Sequence, residues 1–119
     1  MRLNEVVYSD AQPVEGYGPG FFRVGGEVHQ GALYLSPAGV QRWGGLEDLG
    51  PVNAEEIDVL FLGMGAEIAH APAGFRDAVE GQGIGLEVMS SPAACRTYNV
   101  LLSEGRRVGL ALLPVVETP

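Results

Sequence analysis

Cys95 is the single cysteine of the chain, and it stands directly beside Arg96 in the stretch MSSPAACRTYNVLLSEGRR, residues 89–107. A thiol next to a cation, or at a helix N-terminus, has a lowered pKa and can serve as a nucleophile or redox sensor. The stretch reads as a helix with Ser90 or Ser91 as N-cap, Pro92 at the first helical position, and Gly105 past the end. Cys95 then lies about four residues in, where the macrodipole has already weakened. On the helical wheel Ala94, Tyr98, Leu101 and Leu102 share one face with Cys95 at its margin, while Arg96, Asn99 and Ser103 line the opposite side. That pattern predicts a cysteine turned toward the core, where it behaves as a small hydrophobe. A catalytic thiol at Cys95 is the alternative reading.

The second constellation is Gly63-Met64-Gly65, which directly follows the apolar run IDVLFLG. A dinucleotide fingerprint needs G-x-G-x-x-G or A opening a helix at once. Here the third position falls on bulky Ile68, and helical periodicity begins only near Pro72. A tight glycine turn at a sheet edge is the expected structure. If the strands before Gly63 and before Ser90 run parallel, both loops leave the same carboxyl edge, where α/β sheets bind ligands. The helix from Ser91 would aim its N–H groups toward the glycine turn, with Arg96 and Asn99 near, as an anion or a partner's acidic side chain requires. The candidate ligand or partner surface is therefore Gly63, Met64, Gly65, Ser90, Ser91, Arg96 and Asn99. Other chemistries find no support. His29 and His70 lack metal-ligand spacing, G-x-S-x-G is absent, and a P-loop cannot be completed without lysine. No metal and no cofactor is implied.

Positioning these residues requires elements of two textures. To about Gly50 the chain is glycine-rich and reads as strands and turns. Gly25-Gly26 predicts a type I′ hairpin joining strands 21–24 and 27–30. A third strand covers 32–36 and closes at Pro37, NEVVY (4–8) suggests an edge strand, and EGYGPGFF reads as turn chemistry. Tyr17, Phe21, Phe22, Tyr34 and Trp43 are expected core and edge aromatics. From Ile57 the grammar changes. Strand 57–63, a helix from Pro72 to Gly81 or Gly83, strand 84–89, helix 91–104 and strand 107–115 form a β-α-β-α-β unit. The expected fold is a single α/β domain over 1–119, with a mixed β-sheet that includes the N-terminal antiparallel hairpin.

Net charge is −8, from seven arginines and no lysine against fifteen acids, so phosphate backbones are repelled and no nucleic acid is expected as partner. Glu47, Asp48, Glu55, Glu56 and Asp58 read as a solvated acidic loop. No apolar run approaches the roughly 18–20 residues of a transmembrane segment. The N-terminus lacks a signal-peptide core, and one cysteine suits a reducing compartment. A cytoplasmic protein is expected.

Taken in order, GYGPGFFRVGGEVHQGALYLSPAGVQRW, VLFLGMGAE and GIGLEVMSSPAACRTYNVLLSEGRRVGLALLPV resemble a small-domain family of unknown biochemical function. That family includes bacterial and archaeal single-domain proteins, an adipogenesis-associated relative and the mitochondrial complex I assembly factor 3. The resemblance runs from about Gly16 to Val115, with ACRTYN and EGRRV its most specific part. It implies a three-layer α/β fold, no established activity and no cofactor. Its mitochondrial branch implies an assembly chaperone, acting with protein partners on a membrane-associated respiratory complex. Met64 stands where the family's loop more often carries threonine. Two functions follow as expectations. The first is a non-enzymatic interaction protein for a membrane-associated complex, able to associate with it peripherally. The alternative is a small-ligand or anion-binding protein or thiol enzyme using Gly63–Gly65 and Cys95.

Overall fold

The interior of the molecule is set by three strands that are buried nearly end to end, a pattern that arises when both faces of a strand are covered. The computed structural model describes residues 11–115. Its elements are β1 (Val14–Gly18), β2 (Phe21–Val24), β3 (Glu27–Gln30), β4 (Leu33–Ser36), β5 (Gly39–Arg42), β6 (Val59–Met64), α1 (Ala73–Glu80), β7 (Gly85–Met89), α2 (Ser91–Ser103) and β8 (Val108–Leu113). The main sheet has the order β5-β4-β8-β6-β7, so β4, β8 and β6 are interior. Pairing is parallel among β8, β6 and β7 and antiparallel for β4 with both β5 and β8.

Side chains alternate across this sheet with the two-residue period of a strand. Leu33, Leu35, Phe61, Leu110 and Leu112 join Ala94, Cys95 and Tyr98 of α2 and Phe22 and Val24 of β2 in one core. Tyr34, Leu60, Leu62, Leu86 and Ala111 join Phe75 and Val79 of α1 and Trp43, Val52 and Ile57 of the preceding segment in the other. The main sheet is thus the middle of three layers. From β6 the chain moves outward through α1 to β7, then back through α2 to β8 on the far side of β6. Crossovers of one hand running in opposite directions place their helices on opposite faces.

The β-α-β-α-β unit and the 21–24/27–30 hairpin stand as expected. Gly25 and Gly26 both have positive φ, 61° and 81°, as the turn requires. The hairpin, however, belongs to a separate antiparallel sheet, β1-β2-β3, packed against the α2 side. Two strands depart from the expectation. VEGYG is β1 rather than a turn, because the absent side chain at Gly18 leaves the space that the Phe21 ring occupies across the pair. Residues 39–42 continue past Pro37 as β5, since Ser36 Oγ accepts the Ala38 N–H (3.1 Å) and turns the chain back. Pro72 is the N-cap of α1 rather than its first helical residue, and Ser90 caps α2. The expected NEVVY strand lies outside the described residues. Among the described residues, no helix is long and apolar enough to cross a membrane.

The acidic 47–58 segment is organised rather than merely solvated. Asp48 accepts the N–H groups of Gly44 and Gly50, each at 3.0 Å, while its carbonyl accepts Trp43 Nε1–H at 2.8 Å. Arg107 pairs with Asp58 (3.2 Å) and donates to the carbonyls of Glu55 and Ala54.

Gly109 leaves no room on the α1-side core: a Cβ there would come 2.9 Å from Ile57 Cδ1 and 3.2 Å from Tyr34 Oη. Gly109→Ala should lower stability by about 1–3 kcal/mol, the usual cost of overpacking. Gly85→Ala, whose Cβ meets nothing closer than 3.7 Å, should leave the urea midpoint unchanged or raise it.

Candidate functional site

The carboxyl ends of β6 and β7 mark the point where the two crossovers diverge, α1 to one face and α2 to the other. This is the crevice position of an α/β sheet. Ser91 occupies it with no solvent exposure. Its Oγ accepts the Gly65 N–H (2.9 Å) and donates to the Leu113 carbonyl (2.6 Å), and its own N–H donates to the Gly65 carbonyl (2.7 Å). One side chain and one peptide N–H therefore tie α2 to the chain just past β6 and to the end of β8.

Both glycines of the turn serve this junction. A Cβ at Gly63 would lie 2.7 Å from Ser91 Cα and 2.9 Å from Leu112 Cδ2, so only glycine lets α2 approach the sheet so closely. Gly65 takes φ 93°, and a Cβ there would face the Pro114 carbonyl at 3.4 Å. Met64 between them points to the other face and packs on the α1-side core. At the start of α2, Ser90 Oγ accepts the Ala93 N–H (3.3 Å) and the Ser90 carbonyl accepts the Ala94 N–H (2.9 Å). With Pro92 lacking an N–H, the donors of this first turn all bond within the chain.

The structure thus brings Gly63, Gly65, Ser90 and Ser91 together and separates them from the rest of the expected group. Asn99 turns away from Arg96. Its Oδ1 accepts the Val14 N–H and its Nδ2 donates to the Val14 carbonyl, both at 2.9 Å. The amide acts as one more strand residue for β1 and docks the small sheet on α2. Arg96 is exposed, with Val100 one turn on and 56% exposed.

Cys95 is buried in the core between α2 and the sheet. Burial pushes its pKa from an ordinary 9.0 up to about 12, and the opposing pull of the Arg96 guanidinium is smaller. The thiol is therefore protonated at neutral pH and shielded, the reverse of an activated nucleophile. Burial also raises the Tyr34 and Tyr98 hydroxyls well above the usual tyrosine range. Among the described residues, no three His, Cys, Asp or Glu side chains gather as metal ligands.

A feature that sequence reasoning missed lies beside β7. A groove of about 440 Å³ runs between α1, the 68–71 segment and β7, lined by Ile68, His70, Arg76, Leu86, Glu87 and Val88. Ile68, 69% exposed, was its one signal in the sequence: a large apolar residue outside any periodic element.

Ser91→Ala strands a buried N–H at Gly65 and the carbonyl of Leu113, and should cost about 2–4 kcal/mol in urea denaturation. Cys95 should resist alkylation in the native protein and react only on unfolding. Native thiol keeps its proton to about pH 12 while unfolded thiol releases it near 9.0. The native state then binds more protons in that window, so stability should fall as pH rises through it. Urea midpoints at stepped alkaline pH check the sign.

Comparison with known proteins places this geometry in a family. A protein family described as being of unknown function, DUF498/DUF598, matches residues 14–113. An uncharacterized protein of Rhodobacter capsulatus is 48% identical, over 97% of this chain and 94% of its own length. The NADH dehydrogenase [ubiquinone] 1 alpha subcomplex assembly factor 3 of Danio rerio is 31% identical over 82% of this chain. This chain spans only 62% of that relative's length. Among solved structures, one described as an outer membrane protein from Bartonella henselae superposes with a TM-score of 0.83 at 33% identity, covering 92% of this chain and 99% of that one. The match over nearly the whole described core, together with these relatives, means that the chain belongs to the DUF498/DUF598 family of proteins of unknown function.

Proposed function

We propose that this chain is a non-enzymatic interaction protein that helps assemble or stabilise a membrane-associated respiratory complex of the NADH dehydrogenase type. Its contact surface is the outward side of α2, at Arg96 and Val100, rather than the glycine turn that Ser91 closes. The observation that carries the reading is the contrast between α2's two sides. Groups capable of chemistry, the Cys95 thiol and the Ser91 hydroxyl, are buried and protonated or bonded within the chain. The outward side presents Arg96 and Val100 on a helix anchored through Ser91 and Asn99. An arginine beside an apolar residue on a rigid helix suits a protein interface, where arginine anchors are enriched. The name of the Danio rerio relative supplies the kind of complex. The net charge of −8 disfavours nucleic acid as partner. In this reading the protein works in the cytoplasm and meets the membrane only through its partner.

The test is capture of NADH dehydrogenase subunits by the tagged chain from detergent-solubilised membranes of Rhodobacter capsulatus. The unaltered chain should retain them. Arg96→Glu combined with Val100→Asp should reduce capture about fivefold or more, as loss of an interface anchor does, with an unchanged urea midpoint because both residues are exposed. Failure of the unaltered chain to retain any such subunit, or equal capture by the variant, overturns the proposal.

A further inference from the structure

We infer that the outer edge of β7 is a strand-addition site for an extended, basic segment of a partner protein. Among the described residues β7 is hydrogen-bonded to β6 alone. The Gly85 N–H donates to the Asp58 carbonyl at 2.9 Å, which fixes the phase of that pairing. In a parallel pair alternate residues direct both backbone groups to the same neighbour. Gly85, Glu87 and Met89 therefore bond toward β6, and Leu86 and Val88 present their N–H and C=O groups outward. An added strand would bond to those two residues.

The surroundings fit an extended chain. The side chains of Leu86 and Val88 lie on the α1 side, two residues apart, and floor the 440 Å³ groove whose far wall is Ile68 and α1. Two-residue spacing is the repeat of a strand, and backbone pairing with pockets for alternate side chains is the usual form of strand addition. The other free edges are built differently. β1 is held at Val14 by the Asn99 amide. β3 presents Glu27, His29 and Gln30 around a single exposed apolar residue, Val28, and β5 presents Gln41 and Arg42, polar guards of the kind that blunt an edge.

Charge selects the occupant. Glu87 is exposed at the middle of β7 at the rim of the groove, and strand alternation turns its side chain to the face opposite those of Leu86 and Val88. A second copy, paired two-fold through Leu86 and Val88, would set Glu87 directly against its own counterpart, and like charges in that position are destabilising. Arg76, the cation of the groove, is already paired with Glu80 at 2.9 Å. What complements the edge is a lysine or arginine opposite Glu87, flanked by branched apolar residues that enter the groove over Leu86 and Val88.

This inference deepens the interaction reading by adding a second surface and does not use the α2 face. The probe is a synthetic peptide, acetyl-Thr-Val-Lys-Val-Thr-amide, titrated into the isotope-labelled full chain by NMR. Its counterpart carries glutamate for lysine. The Leu86 and Val88 amides should shift and exchange more slowly with solvent. The lysine peptide should bind about fivefold more tightly than the glutamate peptide, the size of a cross-strand charge reversal, and Glu87→Lys should invert that preference. Val88→Pro, which removes an outward N–H and leaves the β6 pairing intact, should weaken both peptides; if it fails to fold, Glu87→Lys decides alone. Shifts centred away from β7, equal binding of the two peptides, or a preference that Glu87→Lys leaves unchanged overturns the inference. Loss of capture in the Arg96→Glu, Val100→Asp variant with peptide binding retained separates the two surfaces. A null peptide result with capture intact removes this site alone.

Discussion

Everything at the carboxyl edge depends on the distance between α2 and β6, and that distance depends on an atom that is not there. Without a Cβ at Gly63, the Ser91 backbone seats directly on the strand, and the Ser91 hydroxyl reaches both Gly65 N–H and Leu113 C=O. Once that contact is made, the position of α2 follows. Its apolar side closes the core over Phe61, Leu110 and Leu112, and its Asn99 reaches Val14 to hold the small sheet. Two sheets that share no strand pairing are thus packed together over α2, with the Gly20 N–H to Val115 carbonyl bond (2.8 Å) as a further tie. Satisfied buried hydrogen bonds of this kind do more to define a unique arrangement than to add net stability, because the penalty falls on leaving any of them unmade.

That constraint also explains why a crevice typical of ligand-binding α/β folds looks different here. In dinucleotide folds a glycine turn frees backbone N–H groups for a phosphate. In this chain the equivalent turn is closed by the helix that follows β7. Glycine is used in both cases for close approach, but the group that approaches is the protein itself. The accessible groups lie outward, on the exposed side of α2 and in the groove along β7.

The β-α-β-α-β unit was legible because its signals are local. Unbroken apolar runs, Ser90 before Pro92, and Gly105 after the last helical residue each state their role within a few positions. Cys95 was legible for the same reason, since helical period alone puts it beside Ala94 and Tyr98. β1 and β5 were not. Val14–Gly18 is a strand because of what lies across from it, the Phe21 ring over Gly18, and β5 exists because Ser36 turns the chain back onto β4. Asn99 was read as part of a solvent-facing side, yet its partner lies 85 residues away in the chain, beyond the reach of any periodicity argument.

The sequence by itself therefore determined the secondary elements of the second half, the buried state of the thiol and the membership of the DUF498/DUF598 family, since periodicity, capping and motif order are properties of neighbouring residues. Tertiary structure alone decided that Ser91 closes the glycine turn, that Asn99 faces β1 and not solvent, and that β7 is left as an edge beside a groove. Each of those outcomes depends on groups from separate elements meeting at hydrogen-bond distance, and only the packed sheet order brings them there.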